Sequence, residues 1–275
     1  MSMSKIKFTI LDHGIIETDL AYNVALPNPG SLKDKNPKAI WAQFPCYSVL
    51  IHHAELGWVL YDTGFCPGDE SDRLPESFKG TFPLFAGRQD YLESRLKQAG
   101  LSANDISLVI LSHMHWDHAG GVGLFGGTKA GGNIIAPGKD FALGVTNTHK
   151  STNPIDGGYI KGNFEFPGLS YNFIDEDYEL AEGLELVWLE GHTPSILGLM
   201  LKTDSGTYIF PSDAVATRMN YGPPYIPTGL MYDSLGFART IKKLYELERK
   251  HKAAIMFSHD IEQYRTFKKA PEFYE

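Results

Sequence analysis

Three histidines and an aspartate fall within six residues of this chain, in His113-Met114-His115-Trp116-Asp117-His118, followed by Ala119-Gly120-Gly121. Imidazole nitrogens and a carboxylate at this density form a donor set for a transition metal. Neutral imidazole with carboxylate suits Zn²⁺, with Fe²⁺ and Mn²⁺ as alternatives. His113 and His115 are two apart, so on an extended segment they face the same way. His118 lies three after His115, which suits a tight turn onto a helix start. One His pair can thus address one ion, and Asp117 with His118 a second. Chance clustering on a surface loop explains this poorly, because five of the ten histidines sit in the motif or at strand ends. His13, His52, His53, His149 and His251 lack that context and read as structural or surface residues.

Positioning such groups requires a rigid frame. Four short apolar runs each end on a His or Asp. Residues 106–111 lead to Ser112-His113, 184–189 to Gly191-His192, 208–210 to Asp213, and 253–257 to Ser258-His259. Read as buried strands, they bring their polar ends to one edge of a layered sheet core, where the scaffold is stiff and the loops are free to vary. Further strands are expected at residues 5–12, 47–53 and 58–61, the last closing on Asp62-Thr63-Gly64. Residues 88–99 read as a helix, with Leu92, Leu96 and Ala99 on one face and Gly100 at the C-terminal end. Asp233 can cap a second helix running to about Lys252, with Phe237, Ala238, Ile241, Leu244 and Tyr245 as its apolar stripe. Eight glycines fall between Gly120 and Gly138, and periodicity stays weak to about Asn172. This stretch reads as a Gly-rich insertion around 120–172, either a functional loop or a surface excursion.

Composition bounds the function classes. The chain has 275 residues, 25 Lys+Arg and 33 Asp+Glu, for a net charge of −8. This balance carries no basic footprint for nucleic acid. No apolar run approaches the ~20 residues of a membrane span, and the first residues lack the apolar core of an export signal. Cys46 and Cys66 are too few for a disulfide scaffold, so a cytoplasmic protein is expected. Without repeats or linkers, residues 1–275 read as one domain.

The set His113-x-His115-x-Asp117-His118 with later His192, Asp213 and His259 resembles the metallo-β-lactamase superfamily; the successive gaps from His118 onward are 74, 21 and 46 residues. More narrowly, Asp62-Thr63-Gly64, Gly191-His192-Thr193-Pro194, Ser212-Asp213-Ala214 and Ser258-His259-Asp260-Ile261-Glu262-Gln263 look like the motifs of the N-acyl-homoserine lactonase group, in order. The resemblance runs from about Tyr47 to Tyr274. It implies an α/β fold of four layers, an αβ/βα sandwich. It also implies two divalent metal ions, one on His113, His115 and His192, the other on Asp117, His118 and His259, with Asp213 bridging. Asp62 would accept a hydrogen bond from a ligand imidazole. On the residues alone, Asp213 reads equally well as a helix cap and His259 as a core histidine.

The chemistry so implied is the opening of a small lactone, by attack of a metal-bound hydroxide on the ester carbonyl. Asp117 or Asp213 would carry the proton to the leaving alkoxide. One departure stands out. Three residues after the bridging Asp, where this group often places a Tyr, stands Ala216. Tyr221, Tyr225 and Tyr232 are the candidates to supply a phenol from the next loop, stiffened by Pro223, Pro224 and Pro227. Phe78, Phe82, Phe85 and Trp41 are candidates for an acyl pocket, a dimer contact or plain core. The expected partner is a small-molecule lactone, and the expected state a monomer or homodimer. Alternatives are a thioester hydrolase of the glyoxalase-II kind and a non-catalytic metal-binding protein. The 16 residues after His259 leave little room for the C-terminal helical module common in the first. A complete ligand set argues against the second.

Overall fold

The computed structural model describes residues 6–65, 74–150, 152–153 and 155–275. Lys5, expected to open the first strand, and Cys66 lie outside them. In chain order the strands are β1 (Ile6–Asp19), β2 (Trp41–His53), β3 (Gly57–Tyr61), β4 (Leu84–Phe85), β5 (Ile106–Ile110), β6 (Ile134–Ala136), β7 (Ile155–Asp156), β8 (Tyr159–Ile160), β9 (Tyr171–Phe173), β10 (Tyr178–Ala181), β11 (Leu184–Leu189), β12 (Ile196–Thr203), β13 (Gly206–Phe210) and β14 (Ala254–Ile255). The helices are α1 (Glu76–Thr81), α2 (Leu92–Gln98), α3 (Trp116–Ala119), α4 (Gly138–His149), α5 (Arg218–Tyr221), α6 (Ser234–His251) and α7 (Ile261–Tyr264).

Side chains alternate across each strand, and this alternation builds the layers. Val49 and Ile51 of β2 face inward, with Phe8, Ile10 and Val59, against Leu186, Leu199, Leu201 and Phe210 of the other sheet. Leu50, between them, faces outward with Leu60 and Val109 onto Leu92 and Leu96 of α2. On the far side, Val187, Leu189 and Ile209 meet Phe237, Ile241 and Leu244 of α6. The result is helix, sheet, sheet, helix, the expected αβ/βα sandwich. Each fully buried Leu or Ile contributes about 1.5–3 kcal/mol.

The sheet orders set the geometry of the site. One sheet runs β4-β1-β2-β3-β5-β6-β9 and the other β10-β11-β12-β13-β14. β3 and β5 are parallel neighbours, so Asp62 and His113 leave the same edge. β13 and β14 are also parallel, which brings Asp213 and His259 together. β11 is antiparallel to β12, and β12 to β13, so β11 ends beside them with His192.

Several expected elements differ. The first strand continues to Asp19, past a register shift between Asp12 and Gly14. The second begins six residues earlier, at Trp41. The strand expected at 253–257 shortens to Ala254–Ile255. The helix expected at 88–99 is split, because Tyr91 is extended (φ −66°, ψ 147°) and α2 starts after it. Asp233 caps α6 as expected, its carboxylate accepting from Leu235 N–H. The 120–172 segment is not wholly irregular; it holds the 12-residue α4. Gly138, Gly144, Thr146, Asn147 and Thr148 are weak helix formers, so α4 depends on packing, with Gly144 pressed against Phe164 and Tyr159. Among the described residues, no helix is long and apolar enough to cross a membrane.

Candidate metal centre

The seven expected ligands leave strand ends or the turns beyond them. His113 follows β5. His115 immediately precedes α3, so Asp117 and His118 occupy its first turn. All seven are buried, none more than 8% exposed.

Their donor atoms form adjoining groups. His113, His115 and His192 offer nitrogens within 4.8 Å of one another, and a carboxylate oxygen of Asp117 lies as close to nitrogens of His118 and His259. Asp213 stands between them. Its Oδ2 lies 3.6 Å from His192 Nε2 and 4.0 Å from His113 Nε2. Its Oδ1 lies 3.3 Å from His118 Nε2 and 3.2 Å from His259 Nε2. Asp117 Oδ2 lies 3.7 Å and 3.6 Å from the same two nitrogens.

The outer nitrogens of four rings are held from behind. His118 Nδ1 lies 2.8 Å from Asp62 Oδ2, and His113 Nδ1 sits 3.0 Å from Ser112 Oγ. His192 Nδ1 donates to the Leu230 carbonyl and His259 Nδ1 to the Pro45 carbonyl, each at 2.8 Å. A carbonyl only accepts, so these two rings carry their proton on Nδ1 and turn the Nε2 lone pair inward. Asp62 is itself fixed by Ser112, whose N–H and Oγ donate to it at 2.7 and 2.8 Å. Ser258 Oγ donates to Asp213 Oδ1 at 2.8 Å.

A cation fits this arrangement. Nε2 of His113 and of His118 is sealed from solvent and makes no hydrogen bond among the described residues, yet both face Asp213. An unpaired buried polar atom costs about 1–3 kcal/mol, and an ion in each group would relieve one of them by accepting its lone pair. The charges agree. Burial, aided by neighbouring imidazoles, pushes His113 and His115 far toward the neutral form that ligates. For His118 and His259 burial opposes the charged form, but Asp213 outweighs it and raises both. Burial also opposes charge on Asp213, and those two histidines hold it well below the usual carboxylate range.

The 120–172 segment supplies support that no sequence motif announces. Gly158 (φ +89°) packs flat on the His115 ring, where an added Cβ would stand 3.0 Å from Cδ2. Its carbonyl accepts from Trp116 N–H at 3.0 Å. Asp140 accepts from Met114 N–H at 2.7 Å and from Tyr159 Oη at 2.5 Å. Burial pushes its carboxyl up to about 6. A single Gly or Asp far from the motif gives no signal of such a role.

A cavity of ≈ 240 Å³ opens onto His115, Asp117, His192, Asp213 and His259. Its apolar wall includes Ile16, Phe44, Phe78, Phe82, Trp116 and Leu230. Phe78 and Phe82 thus reach it, whereas Phe85 and Trp41 are surface residues, 58% and 53% exposed. The candidate tyrosines do not line it. Tyr221 Oη donates to Glu248 at 2.6 Å, with its ring against Tyr245 and Phe257. Tyr225 and Tyr232 are 47% and 59% exposed. Their loop folds back on the chain after β1, with Ala25 N–H bound to the Pro227 carbonyl and Leu230 N–H to the Tyr22 carbonyl. Tyr22, unforeseen, lines the cavity instead.

An α/β sandwich that gathers imidazoles and carboxylates at its sheet ends is a divalent-metal protein. The model of the Metallo-beta-lactamase superfamily matches residues 41–258. The N-acyl homoserine lactonase AiiB of Agrobacterium fabrum is 30% identical, the match covering 98% of this chain and 99% of that protein. An N-acyl homoserine lactonase of a Bacillus species is also 30% identical, covering 99% and 100%. Among solved structures, a variant of B. thuringiensis AiiA with N-decanoyl-L-homoserine at its active site matches with TM-score 0.81 and 27% identity, covering 98% of both chains. An N-acyl homoserine lactone hydrolase with the product N-hexanoyl-L-homoserine at its catalytic metal center matches with TM-score 0.80 and 26% identity, again covering 98% of both. The chain belongs to the metallo-beta-lactamase superfamily, in the family of the N-acyl homoserine lactonases.

Proposed function

We propose that this chain is a single-domain hydrolase of ester bonds that opens lactones with the help of two divalent metal ions, zinc first among the candidates. One observation carries the reading: Asp213 turns one carboxylate oxygen toward each of two adjoining imidazole groups beside an apolar cavity. His113, His115 and His192 would hold one ion, Asp117, His118 and His259 the other, and Asp213 both. When bound, such a pair polarises an ester carbonyl and acidifies water near neutral pH.

The protein's own groups account for the rest. Ser112, Asp62, Leu230 and Pro45 fix the imidazole orientations, so that little reorganisation accompanies substrate binding. Asp117 and Asp213 are the carboxylates placed to pass a proton to the alkoxide released when the ring opens. Phe78, Phe82 and Trp116 keep water from the wall and seat an acyl chain. The relatives named N-acyl homoserine lactonases, and the neighbour holding N-hexanoyl-L-homoserine, support an N-acyl homoserine lactone as substrate.

The test is a substrate panel on zinc-loaded protein: N-acyl homoserine lactones, γ-alkyl lactones and glutathione thioesters. We expect kcat/KM for the best lactone to exceed that for the best thioester by about 10²-fold or more, as differential transition-state binding in a fitted pocket permits. Faster thioester turnover would make the chain a thioesterase. No turnover at full metal occupancy would leave a metal-binding protein.

A further inference from the structure

β1 ends at Asp19, and the chain turns through Leu20–Tyr22 into Asn23. Three polar side chains of this segment, Thr18, Tyr22 and Asn23, line the cavity shared with the metal-ligand groups. The side chains of Tyr22 and Asn23 make no hydrogen bond to the described residues. The Tyr22 ring leans on Phe82 with centroids 4.7 Å apart, which leaves its hydroxyl uncommitted. Thr18 is 1% exposed, and its buried hydroxyl has no hydrogen-bond partner among the described residues either. Buried polar groups are normally paired. One buried unpaired hydroxyl beside two half-buried polar groups that are free to take a partner, on one segment of a largely apolar wall, marks a place where a ligand supplies the partner.

The backbone beneath them, by contrast, is tied down. The Tyr22 carbonyl accepts from Leu230 N–H at 3.0 Å, and the Asn23 carbonyl accepts from Asn220 Nδ2 at 2.8 Å. Gly229 lies so close to the Ala21 carbonyl that no Cβ fits between them. Leu230 also holds His192 through its carbonyl. The polar segment is therefore fixed relative to the metal-ligand groups, as recognition at a defined distance from a reacting centre requires.

We propose that Tyr22 and Asn23, with Thr18 beside them, form the subsite that recognises an exocyclic secondary amide on the lactone. This rests on the lactonase reading and adds its determinant of selectivity. A secondary amide presents one N–H and one C=O. The Asn23 carboxamide offers both an acceptor and a donor, and the Tyr22 hydroxyl a further donor. A lactone carrying only an alkyl chain leaves these groups unpaired when it excludes water, and such sites reject such analogues strongly.

Zinc-loaded wild type, Tyr22→Phe, Asn23→Ala and Thr18→Val are compared on an N-acyl homoserine lactone and a γ-alkyl lactone of matched length. The selectivity ratio of the two kcat/KM values falls about 10-fold or more in Asn23→Ala and by a smaller factor in Tyr22→Phe, chiefly through KM for the amide substrate. A ratio unchanged within about twofold in all three variants overturns the proposal. A parallel calorimetric measurement does not depend on turnover: it compares Kd for N-hexanoyl homoserine and for an amide-free hydroxy acid of equal length. Wild type prefers the amide, and Asn23→Ala loses the preference. Equal Kd values in wild type also overturn the subsite. Failure of wild type to hydrolyse either lactone, with the amide preference intact in calorimetry, overturns the lactonase reading while upholding amide recognition.

Discussion

Asp213→Ala is expected to lower kcat/KM by about 10³-fold or more, and to weaken the binding of both ions together. Among the described residues Asp213 is the one carboxylate that faces both imidazole groups, so its loss removes a shared anion from two candidate sites. The Lewis acidity it helps retain is worth several kcal/mol in the transition state, and each 1.4 kcal/mol is about tenfold in rate. The fold is expected to survive, because the other contacts of Asp213 are limited to the ligand cluster and Ser258. Asp213→Asn separates charge from shape. It keeps the volume and an acceptor for Ser258, and it is expected to lose nearly as much activity as the alanine variant. Elemental analysis, kcat/KM and the far-ultraviolet dichroism of the three proteins check this. Near-normal hydrolysis and metal content in Asp213→Ala would remove the bridging role.

Asp62→Asn is expected to weaken metal affinity by about 10–100-fold, the range for groups that orient ligands. Asp62 occupies a left-handed backbone conformation at φ 61°. Asparagine tolerates that region, so the substitution adds no backbone strain. What changes is the partner of His118 Nδ1, which an anionic oxygen fixes in tautomer and orientation. The neutral amide binds the ring more weakly and contributes no charge to the site. Chelator competition reads the affinity directly. Activity is expected to recover in part at excess zinc, since the ligands themselves remain. Activity that stays low at full occupancy would place Asp62 in the chemistry rather than behind His118. Asp62→Ala should be worse in stability, since it leaves the buried Ser112 N–H without its acceptor.

The candidate ligand set is legible in the sequence because two features coincide. His113 to His118 lie within one short segment, so local spacing carries most of the information. His192, Asp213 and His259 each follow an apolar run, and such runs become strands whose ends coincide once β3, β5, β13 and β14 lie parallel in pairs. The cavity wall offered no comparable signal. Period-two alternation breaks where the register shifts between Asp12 and Gly14, which hides the continuation of β1 that carries Ile16 and Thr18. Tyr22 and Asn23 sit in the following turn, and only the close approach of Gly229 and Leu230 places them beside His192. By sequence distance from Asp213, Tyr221 is a reasonable candidate. The fold sends it outward to Glu248, because the loop after α5 returns to pair with the Tyr22 backbone. α4 is hidden for the opposite reason: its helical state depends on burial of Asp140 and on the rings around Gly144, not on its own propensities.

The central claim is that the two imidazole groups around Asp213 each hold an ion. Elemental analysis of protein stripped with chelator, reloaded with zinc and freed of excess metal tests this most directly. The predicted result is about two equivalents per chain, falling together in Asp213→Ala, with kcat/KM rising in proportion to occupancy. A wild-type protein that holds no zinc, or one equivalent with full lactone turnover, would contradict it.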